Sequence, residues 1–195
     1  MNSITRSKAA RIAAEFFGTG RHEYTASRNG YETYSAWDAD GREWKFQKDV
    51  SIAGVDSEKC ELVTPILTYA DIPTLQELIR KLRKAGAKSD YTRGCGVHIH
   101  IGANGHTPQT LRNLANLMAS HEDLLIDAIN IAESRTRQYC RTVDRRFLEK
   151  LNKSKPRTMA QLADIWYGGN GANYGRTHHY NESRYHQLNY HSVFT

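Results

Sequence analysis

The feature that most constrains this chain is a short stretch in which aliphatic residues and histidines alternate between two glycines. It reads Gly96-Val97-His98-Ile99-His100-Ile101-Gly102. Successive side chains of a β-strand point to opposite faces, so the pattern predicts a strand with the aliphatic side chains buried and both histidines on the other face. The two imidazoles would lie roughly 7 Å apart. Imidazole binds divalent metals when neutral and phosphate oxygens when protonated, so the pair predicts one shared metal or phosphate ligand. A half-exposed strand that carries histidines without a ligand is the alternative.

Size and composition place the chain among globular proteins. Its 195 residues suit a single domain over residues 1–195 that buries its own core. Hydrophobic residues make up 39% and charged residues 25%, which is typical of a folded, soluble protein. No apolar run approaches the ~20 residues of a membrane span, and the first residues lack the apolar block of a secretory signal. We therefore expect a cytoplasmic protein with no membrane partner, whose three cysteines, Cys60, Cys95 and Cys140, stay reduced.

The chain is basic, with a formal net charge of +6. Clustered Lys and Arg favour nucleic-acid binding because they displace counterions from phosphates. Most of the basic residues fall within predicted helices, however, where solvated helix faces account for them. Anionic ligands such as ATP account for part of the remainder. Nucleic acid is therefore not the partner that we predict, although the charge alone does not exclude it.

Periodicity predicts an α+β fold with a mostly antiparallel sheet and helices packed on one face. A turn at residues 38–41 predicts a hairpin between two of the strands. The longest helix has a broad apolar surface suited to lying against a sheet. Strands are predicted over residues 31–37, 42–48, 59–64 and 96–102. Helices are predicted over residues 5–17, 71–86, 107–129 and 158–167, and Asp71 is the predicted N-cap of the second. A further, basic helix is predicted to contain Tyr139, Val143, Phe147 and Leu151.

Further candidate residues lie in separate parts of the sequence. Glu61 is an acidic residue in a strand otherwise rich in apolar groups, which fits either a metal ligand or an outward-facing carboxylate. Asp49 ends the hairpin, as a loop cap or a substrate contact. Near the C-terminus, Arg184 could bind phosphate or carboxylate through its planar guanidinium, and Asn189 could orient a ligand. An exposed histidine-rich loop is the alternative for residues 178–191.

Four ordered motifs together resemble the amidoligase family, which belongs to the carboxylate-amine ligase superfamily with glutamine synthetase and glutamate-cysteine ligase. The resemblance covers nearly the whole chain, and the ordered set is more specific than any single His-x-His. Asp49 also matches the Asp that the family places after a tryptophan-bearing strand, here the strand with Trp44. The motifs are Glu61-Leu62-Val63-Thr64-Pro65-Ile66-Leu67, Leu75-Gln76-Glu77-Leu78, Gly94-Cys95-Gly96-Val97-His98-Ile99-His100-Ile101 and Ser183-Arg184-Tyr185-His186-Gln187-Leu188-Asn189.

The resemblance implies a glutamine synthetase-like catalytic fold, with a concave antiparallel sheet. There ATP and Mg²⁺ or Mn²⁺ would convert a carboxylate into an acyl phosphate, which an amine attacks to form an amide. The substrates would be a carboxylate and an amine, from small molecules or peptides. By position, Glu61 and His98 would be metal ligands, and His98 could instead bind nucleotide phosphate. His100 would contact nucleotide or substrate, and Arg184 would neutralise phosphate charge during transfer. Asp49, Arg184 and Asn189 would bind the nucleotide.

The sequence departs from the family pattern at both ends. The family places a Glu-x-Glu strand before the segment matched by residues 4–6 and an Ile-Glu-Phe-Arg strand after that matched by residues 194–195. Neither motif is present, and Glu23 does not replace the first. The fold is therefore expected to be incomplete, and we expect residues 1–195 in isolation to bind nucleotide weakly and to turn over poorly.

Two other functions fit part of the sequence. The missing motifs fit a non-catalytic, ligase-like binding module. The His-x-His pair also fits the metal site of single-strand DNA nickases, in which a tyrosine on a helix attacks a DNA phosphate. Tyr139 is the candidate nucleophile for that reaction.

Overall fold

The computed structural model describes residues 1–26, 31–168, 175, 177–178 and 182–195. The chain divides into two compact units, Met1–His98 and Ile99–Thr195. The first unit is α+β with an antiparallel sheet, and the described part of the second is helical. The α+β class is thus confirmed, while the single domain over residues 1–195 stays a prediction. Among the described residues, no helix has the length and apolar content that crossing a membrane would require.

The sheet of the first unit has four antiparallel strands in sequence order. They are β1 (His22–Tyr24), β2 (Tyr34–Trp37), β3 (Glu43–Gln47) and β4 (Glu61–Val63). The last three were predicted, with longer bounds, and β1 was missed because a three-residue strand carries too little alternation to be recognised. The hairpin between β2 and β3 is confirmed, with Ala36 opposite Trp44.

Helix α1 (Arg6–Phe16) packs on one face of the sheet. Thr5 caps it, since the Thr5 side chain accepts a hydrogen bond from the Lys8 backbone N–H at 3.2 Å. Apart from Arg6 at its start, the buried residues of the helix are small, which lets the helix axis approach the strands closely. These residues are Ala9, Ala10, Ala13 and Ala14, all fully buried.

The sheet residues under the helix are large and apolar. Trp44 and Phe46 alternate with the polar residues of β3 and are completely buried. The ring of Phe17, next to the end of α1, packs at 5.0 Å from the ring of Trp44. Helix α2 (Ile72–Lys84) adds Leu78 and Leu82 to the same core. Helices on one face of an antiparallel sheet were predicted, and this arrangement is confirmed for the first unit.

Asp71 has a different role from the predicted one. Its side chain makes no capping bond to α2. Instead, Asp71 Oδ2 accepts from the backbone N–H of Thr68 at 2.7 Å, and Oδ1 accepts from Arg42 at 2.9 Å. The Arg42 guanidinium also bonds Asp38, which is buried at the hairpin turn. Arg42 therefore ties the hairpin to the entry of α2, and its bond holds the pKa of Asp71 well below the usual range.

The second unit is built from helices. They are α3 (Pro108–Ala128), α4 (Glu133–Gln138), α5 (Arg145–Ser154), α6 (Met159–Trp166) and the short α7 (His191–Phe194). Leu111, Leu151, Leu162 and Tyr190 form the centre of the core. Helices α3 and α5 are also joined by two hydrogen bonds between the Asn116 and Asn152 amides, at 2.9 and 2.8 Å.

The predicted basic helix is wrong as a single element. Residues 139–144 separate α4 from α5, because Asp144 caps α5 through a 2.8 Å bond from the Phe147 backbone N–H. Buried Glu122 of α3 accepts a 2.7 Å bond from the Val143 backbone N–H and so anchors this connection. Tyr139 is the residue after α4 and not a helical residue.

The predicted strand over residues 96–102 is also wrong. This segment is irregular, and all its residues are exposed. The aliphatic side chains that were expected to be buried are 85% exposed at Val97 and 82% at both Ile99 and Ile101. Alternation makes a segment suitable for a sheet, but a strand also needs a neighbouring backbone to pair with, and the described residues supply none here.

Candidate functional site

The face of the sheet away from α1 is polar. The register of the strands places eight side chains on it, six of them polar, since directly paired residues point to the same side. We call this surface the polar face. Its side chains are Glu23 of β1, Ser35 and Trp37 of β2, Glu43, Lys45 and Gln47 of β3, and Glu61 and Val63 of β4.

Hydrogen bonds between strands hold the carboxylates of the polar face in place. Gln47 Nε2 donates to Glu61 Oε2 at 2.9 Å, and Ser35 Oγ donates to Glu43 Oε1 at 2.6 Å. Ser35 Oγ also lies 2.7 Å from the hydroxyl of Thr25. Because each acceptor is bonded across neighbouring strands, Glu43 and Glu61 have defined positions rather than freely rotating side chains.

Solvent reaches the charged groups of the polar face. Lys45 is 46% exposed and Glu43 is 35% exposed, with 3.6 Å between Lys45 Nζ and Glu43 Oε2. Glu61 is partly exposed on this face, and its role as a metal ligand stays a prediction. The surface thus presents both carboxylate oxygens and an ammonium group, which can bind a cation and an anion side by side.

The other predicted site residues of the first unit lie outside the polar face. Asp49 Oδ1 accepts from the backbone N–H of Ser51 at 2.9 Å and from its hydroxyl at 2.7 Å, so Asp49 caps a turn. His98 is exposed at the end of the unit.

The remaining predicted site residues belong to the second unit. His100 is exposed in the irregular segment at its start. Arg184 is half-buried in a single turn of 3-10 helix, Glu182–Arg184, with its guanidinium carbon 5.9 Å from the centre of the Tyr185 ring. Asn189 Oδ1 accepts a 2.8 Å bond from the His191 backbone N–H. Asn189 therefore has a structural role at the start of α7. Residues 179–181 of the histidine-rich stretch lie outside the described residues.

The candidate nucleophile of the nickase alternative is engaged in ring contacts. The Tyr139 ring meets that of Tyr185 edge-on at 5.8 Å, and the Arg135 guanidinium lies 5.1 Å from its centre. Tyr139 is 49% exposed. The nickase hypothesis required a tyrosine on a helix, and Tyr139 does not meet this requirement.

His186 belongs to the motif at residues 183–189 and contacts the segment that connects α4 and α5. His186 Nδ1 donates to the backbone carbonyl of Thr142 at 2.8 Å. Burial lowers the pKa of His186, although the bond to the carbonyl acts in the opposite direction. The motif residues of this region thus help to fix the fold of the second unit.

Sequence reasoning missed Gln47, the hydrogen-bond partner of Glu61, and the other polar residues of β3 on the same face. Gln47, Lys45 and Glu43 alternate with Trp44 and Phe46 along β3, so the alternation could have placed these polar side chains on the face that α1 leaves free. What the sequence did not supply was the register, which sets Gln47 opposite Glu61. That pairing makes Gln47 the residue that orients the carboxylate.

Comparison with known families assigns the chain. A family model described as "Putative amidoligase enzyme" matches residues 1–195, the whole chain. No curated protein and no solved structure matches it. The match agrees with the four ordered motifs and favours ligation over DNA nicking. Because the family model covers the whole chain, this protein belongs to the amidoligase family.

Proposed function

We propose that this chain binds ATP with its divalent cation at the polar face and uses it to join a carboxylate to an amine. The observation that supports this best is the position of Glu61. Glu61 lies on the sheet face that α1 leaves free, and the hydrogen bond from Gln47 orients its carboxylate. The chain also belongs to the amidoligase family. A rigid sheet is a suitable support for such a site because its side chains move little relative to each other.

The chemistry of the polar face fits Mg²⁺ or Mn²⁺. Both cations prefer oxygen ligands, and Glu61 presents its carboxylate on this surface, whereas Glu43 lies four residues along β3 from Gln47, the residue opposite Glu61. Within the described ranges, no three His, Cys, Asp or Glu residues come together as a complete metal site. Mg²⁺ is commonly held by one or two carboxylates together with nucleotide phosphates and water. Glu61 would therefore hold a cation that arrives with its nucleotide, and when bound the cation would offset phosphate charge.

The proposed reaction has two steps. An oxygen of the substrate carboxylate forms a bond to the γ-phosphorus of ATP while the bond to ADP breaks, which gives an acyl phosphate. The amine nitrogen then attacks the acyl carbon, inorganic phosphate leaves, and the nitrogen loses its proton to solvent. Such a transfer needs positioning and charge neutralisation more than a nucleophilic side chain. Membership of the amidoligase family supports the proposed substrate class, a small-molecule or peptide carboxylate and an amine.

Several residues are proposed to supply that charge and those contacts. Lys45, beside Glu43 on the polar face, would attract nucleotide phosphate. His98 would bind the cation or a phosphate, His100 would contact nucleotide or substrate, and Arg184 would neutralise developing charge. Asp49 and Asn189 would contact the nucleotide in addition to their roles in turns. The glutamine synthetase-like form of the sheet belongs to the same proposal.

Calorimetry with a non-hydrolysable ATP analogue and Mg²⁺ tests the proposal. Glu61→Gln preserves the size of the side chain and the bond to Gln47 but removes the charge, so we expect the affinity to fall about tenfold or more. Glu15→Gln is the matched control, because Glu15 lies on α1 with a 60% exposed side chain and takes no part in the polar face. Its affinity should equal that of the wild type.

Three outcomes would revise the proposal. Equal affinities for Glu61→Gln and the wild type would remove Glu61 from the site, and an unchanged His98→Ala variant would remove His98. A wild type that shows no Mg²⁺-dependent binding would contradict the proposed function itself. Binding without release of ADP in the presence of varied carboxylates and amines would instead support the binding-module alternative.

A further inference from the structure

Trp37 of β2 differs from the other two tryptophans of the chain in the contacts of its indole ring. The buried Trp44 indole N–H donates to Asp38 at 3.0 Å, and the Trp166 indole N–H donates to Ser183 at 3.1 Å. Among the described residues, the indole N–H of Trp37 has no hydrogen-bond acceptor, and no aromatic ring packs against the indole. Indole N–H groups that leave bulk water usually find an acceptor, so the partly buried ring of Trp37 has an unused donor.

Trp37 lies at one end of the polar face, next to charged side chains. It is paired with Glu43 of β3, so its side chain leaves the sheet on the side opposite to α1. The Arg21 guanidinium lies 4.0 Å from the centre of the Trp37 ring, and Arg21 Nη2 lies 3.5 Å from Glu23 Oε1. The Arg21 side chain is 61% exposed, so its ion pair with Glu23 is weak and the guanidinium can move off the ring at little cost.

Three groups of different chemistry follow one another diagonally across the polar face. They are the indole of Trp37 on β2, the ammonium of Lys45 on β3 and the carboxylate of Glu61 on β4. Lys45 lies midway along β3 between Glu43, the partner of Trp37, and Gln47, the partner of Glu61. With ~3.3 Å of rise per residue and ~4.8 Å between strands, the backbones of the first and last groups are roughly 16 Å apart. An extended nucleoside triphosphate presents a flat base, an anionic chain and a bound cation in the same order.

We propose that Trp37 stacks against the purine base of the nucleotide, with the phosphates at Lys45 and their cation at Glu61. This inference rests on the proposed function and gives the direction in which ATP lies on the polar face. An aromatic ring stacks on any base, and the unused indole N–H can donate to a ribose hydroxyl or a ring nitrogen. Arg21 would move to the outer side of the base, because a guanidinium stacks on a base as it does on an indole.

Calorimetry with two ligands separates the base from the phosphates. One ligand is a non-hydrolysable ATP analogue with Mg²⁺, and the other is inorganic tripolyphosphate with Mg²⁺, which has no base and no ribose. In Trp37→Ala, the affinity for the ATP analogue should fall about tenfold, because the stacking surface is lost. The affinity for tripolyphosphate should equal that of the wild type, which also shows that the variant is folded. Trp37→Phe keeps an aromatic ring and should recover most of the affinity for the ATP analogue.

Tyr24→Ala is the matched control for the loss of an aromatic ring from the sheet. Tyr24 of β1 is 55% exposed and is paired with Tyr34, which is paired with Phe46 under α1. Its side chain therefore lies on the face of the same sheet that does not carry the proposed site. This variant should bind both ligands as the wild type does.

Fluorescence provides a second readout that leaves Trp37 unchanged. In a Trp166→Phe background, the remaining tryptophans are Trp37 and Trp44, and Trp44 is completely buried. The ATP analogue should quench the emission because its base stacks on the indole of Trp37, and tripolyphosphate should not.

The two readouts distinguish failure of this inference from failure of the proposed function. The base site is wrong if the ATP analogue binds the wild type and Trp37→Ala equally well, or if it binds the wild type without quenching. It is also wrong if the wild type binds the ATP analogue no more tightly than tripolyphosphate. In these cases the proposed function still stands. A wild type that binds neither ligand with Mg²⁺ would overturn both.

Discussion

The two units of this chain are stabilised by different kinds of interaction. In the first, charged side chains reach into the structure and bond directionally: buried Arg6 donates to the backbone carbonyls of Asp56 and Lys59, both at 2.8 Å. In the second, aromatic rings dominate. The Trp166 ring packs against Phe147 at 5.1 Å and against Tyr190 at 5.3 Å. The first unit is thus held by polar bonds as well as by its apolar core, and the second mainly by packing.

The difference bears on the polar face, the part of the candidate site that lies on the first unit. Polar bonds fix the direction of a side chain, whereas apolar packing fixes mainly its volume. Directional hydrogen bonds join Arg42 to Asp38 and Asp71, and a bond of the same kind joins Gln47 to Glu61. A surface whose carboxylates are already oriented loses less entropy when it binds a ligand.

The largest effect is expected from Trp44→Ala. Trp44 is completely buried between the sheet and α1, and its indole N–H donates to Asp38 at 3.0 Å. The substitution should lower the free energy of unfolding by about 3–5 kcal/mol, because it leaves a cavity and removes one of the hydrogen bonds that buried Asp38 accepts. Urea denaturation followed by circular dichroism measures this.

Trp37→Ala is the control for that prediction. Trp37 is only partly buried, and its ring lies 4.0 Å from the Arg21 guanidinium. Its loss should cost about 1 kcal/mol or less. A similar cost for both variants would contradict the assignment of Trp44 to the centre of the first core.

The corresponding change in the second unit is Leu162→Ala. Leu162 is completely buried beside Leu151 and Tyr190. We expect a loss of about 2–5 kcal/mol, and hydrogen exchange should accelerate in α5 and α6. Leu117→Ala on α3 is the control, since Leu117 is 56% exposed and its replacement should change stability by no more than about 0.5 kcal/mol. Unchanged exchange in α6 for Leu162→Ala would show that this core is not continuous.

Much of the first unit could be predicted from the sequence because its signals are local. Thr5 before an alanine-rich amphipathic stretch predicted α1, and the alternation around Trp44 predicted β3. Glu61 could likewise be placed on a strand. Register and side-chain partners are not local, so the bond from Gln47 to Glu61 and the tie from Arg42 to Asp71 became known only from the structure.

The two wrong elements have one physical cause. Residues 96–102 alternate as β3 does, yet strand formation depends on a paired backbone that the pattern does not specify. Residues 139–144 continue a helical apolar pattern, yet Asp144 caps the next helix and Glu122 binds the intervening backbone. In both places a partner distant in sequence decides the local structure.

Acid should weaken the first unit through Asp71. The bond from Arg42 lowers the pKa of Asp71, so its contribution to stability is present above its unfolded pKa of 3.8 and is lost as the pH falls below that value. In Asp71→Asn this part of the acid sensitivity should disappear, and stability should change less between pH 4 and pH 2.5. Tryptophan fluorescence in a Trp166→Phe background follows the first unit, because Trp37 and Trp44 both lie there.

Asp40→Asn provides the matched control for the acid prediction. Asp40 lies 3.7 Å from the same guanidinium but is 79% exposed, so solvent screens its interaction with Arg42. This variant should keep the acid sensitivity of the wild type. If Asp71→Asn and Asp40→Asn behave alike, the tie between the hairpin and α2 does not depend on the charge of Asp71.

The smallest effect has the opposite sign and belongs to the second unit. Burial raises the pKa of Glu122 above 4.5, so the folded state binds a proton more tightly than the unfolded chain does. The contribution of Glu122 to stability therefore decreases as the pH rises above 4.5.

A Gln at position 122 can still accept the hydrogen bond from the Val143 backbone N–H and carries no charge. The difference in unfolding free energy between Glu122→Gln and the wild type should shift in favour of the variant from pH 4 to pH 7, in chemical denaturation at each pH. Asp123→Asn, on the exposed side of α3, should show no such shift. A shift in favour of the wild type would mean that the charged carboxylate stabilises the second unit, and the contrast between the two units would then not hold.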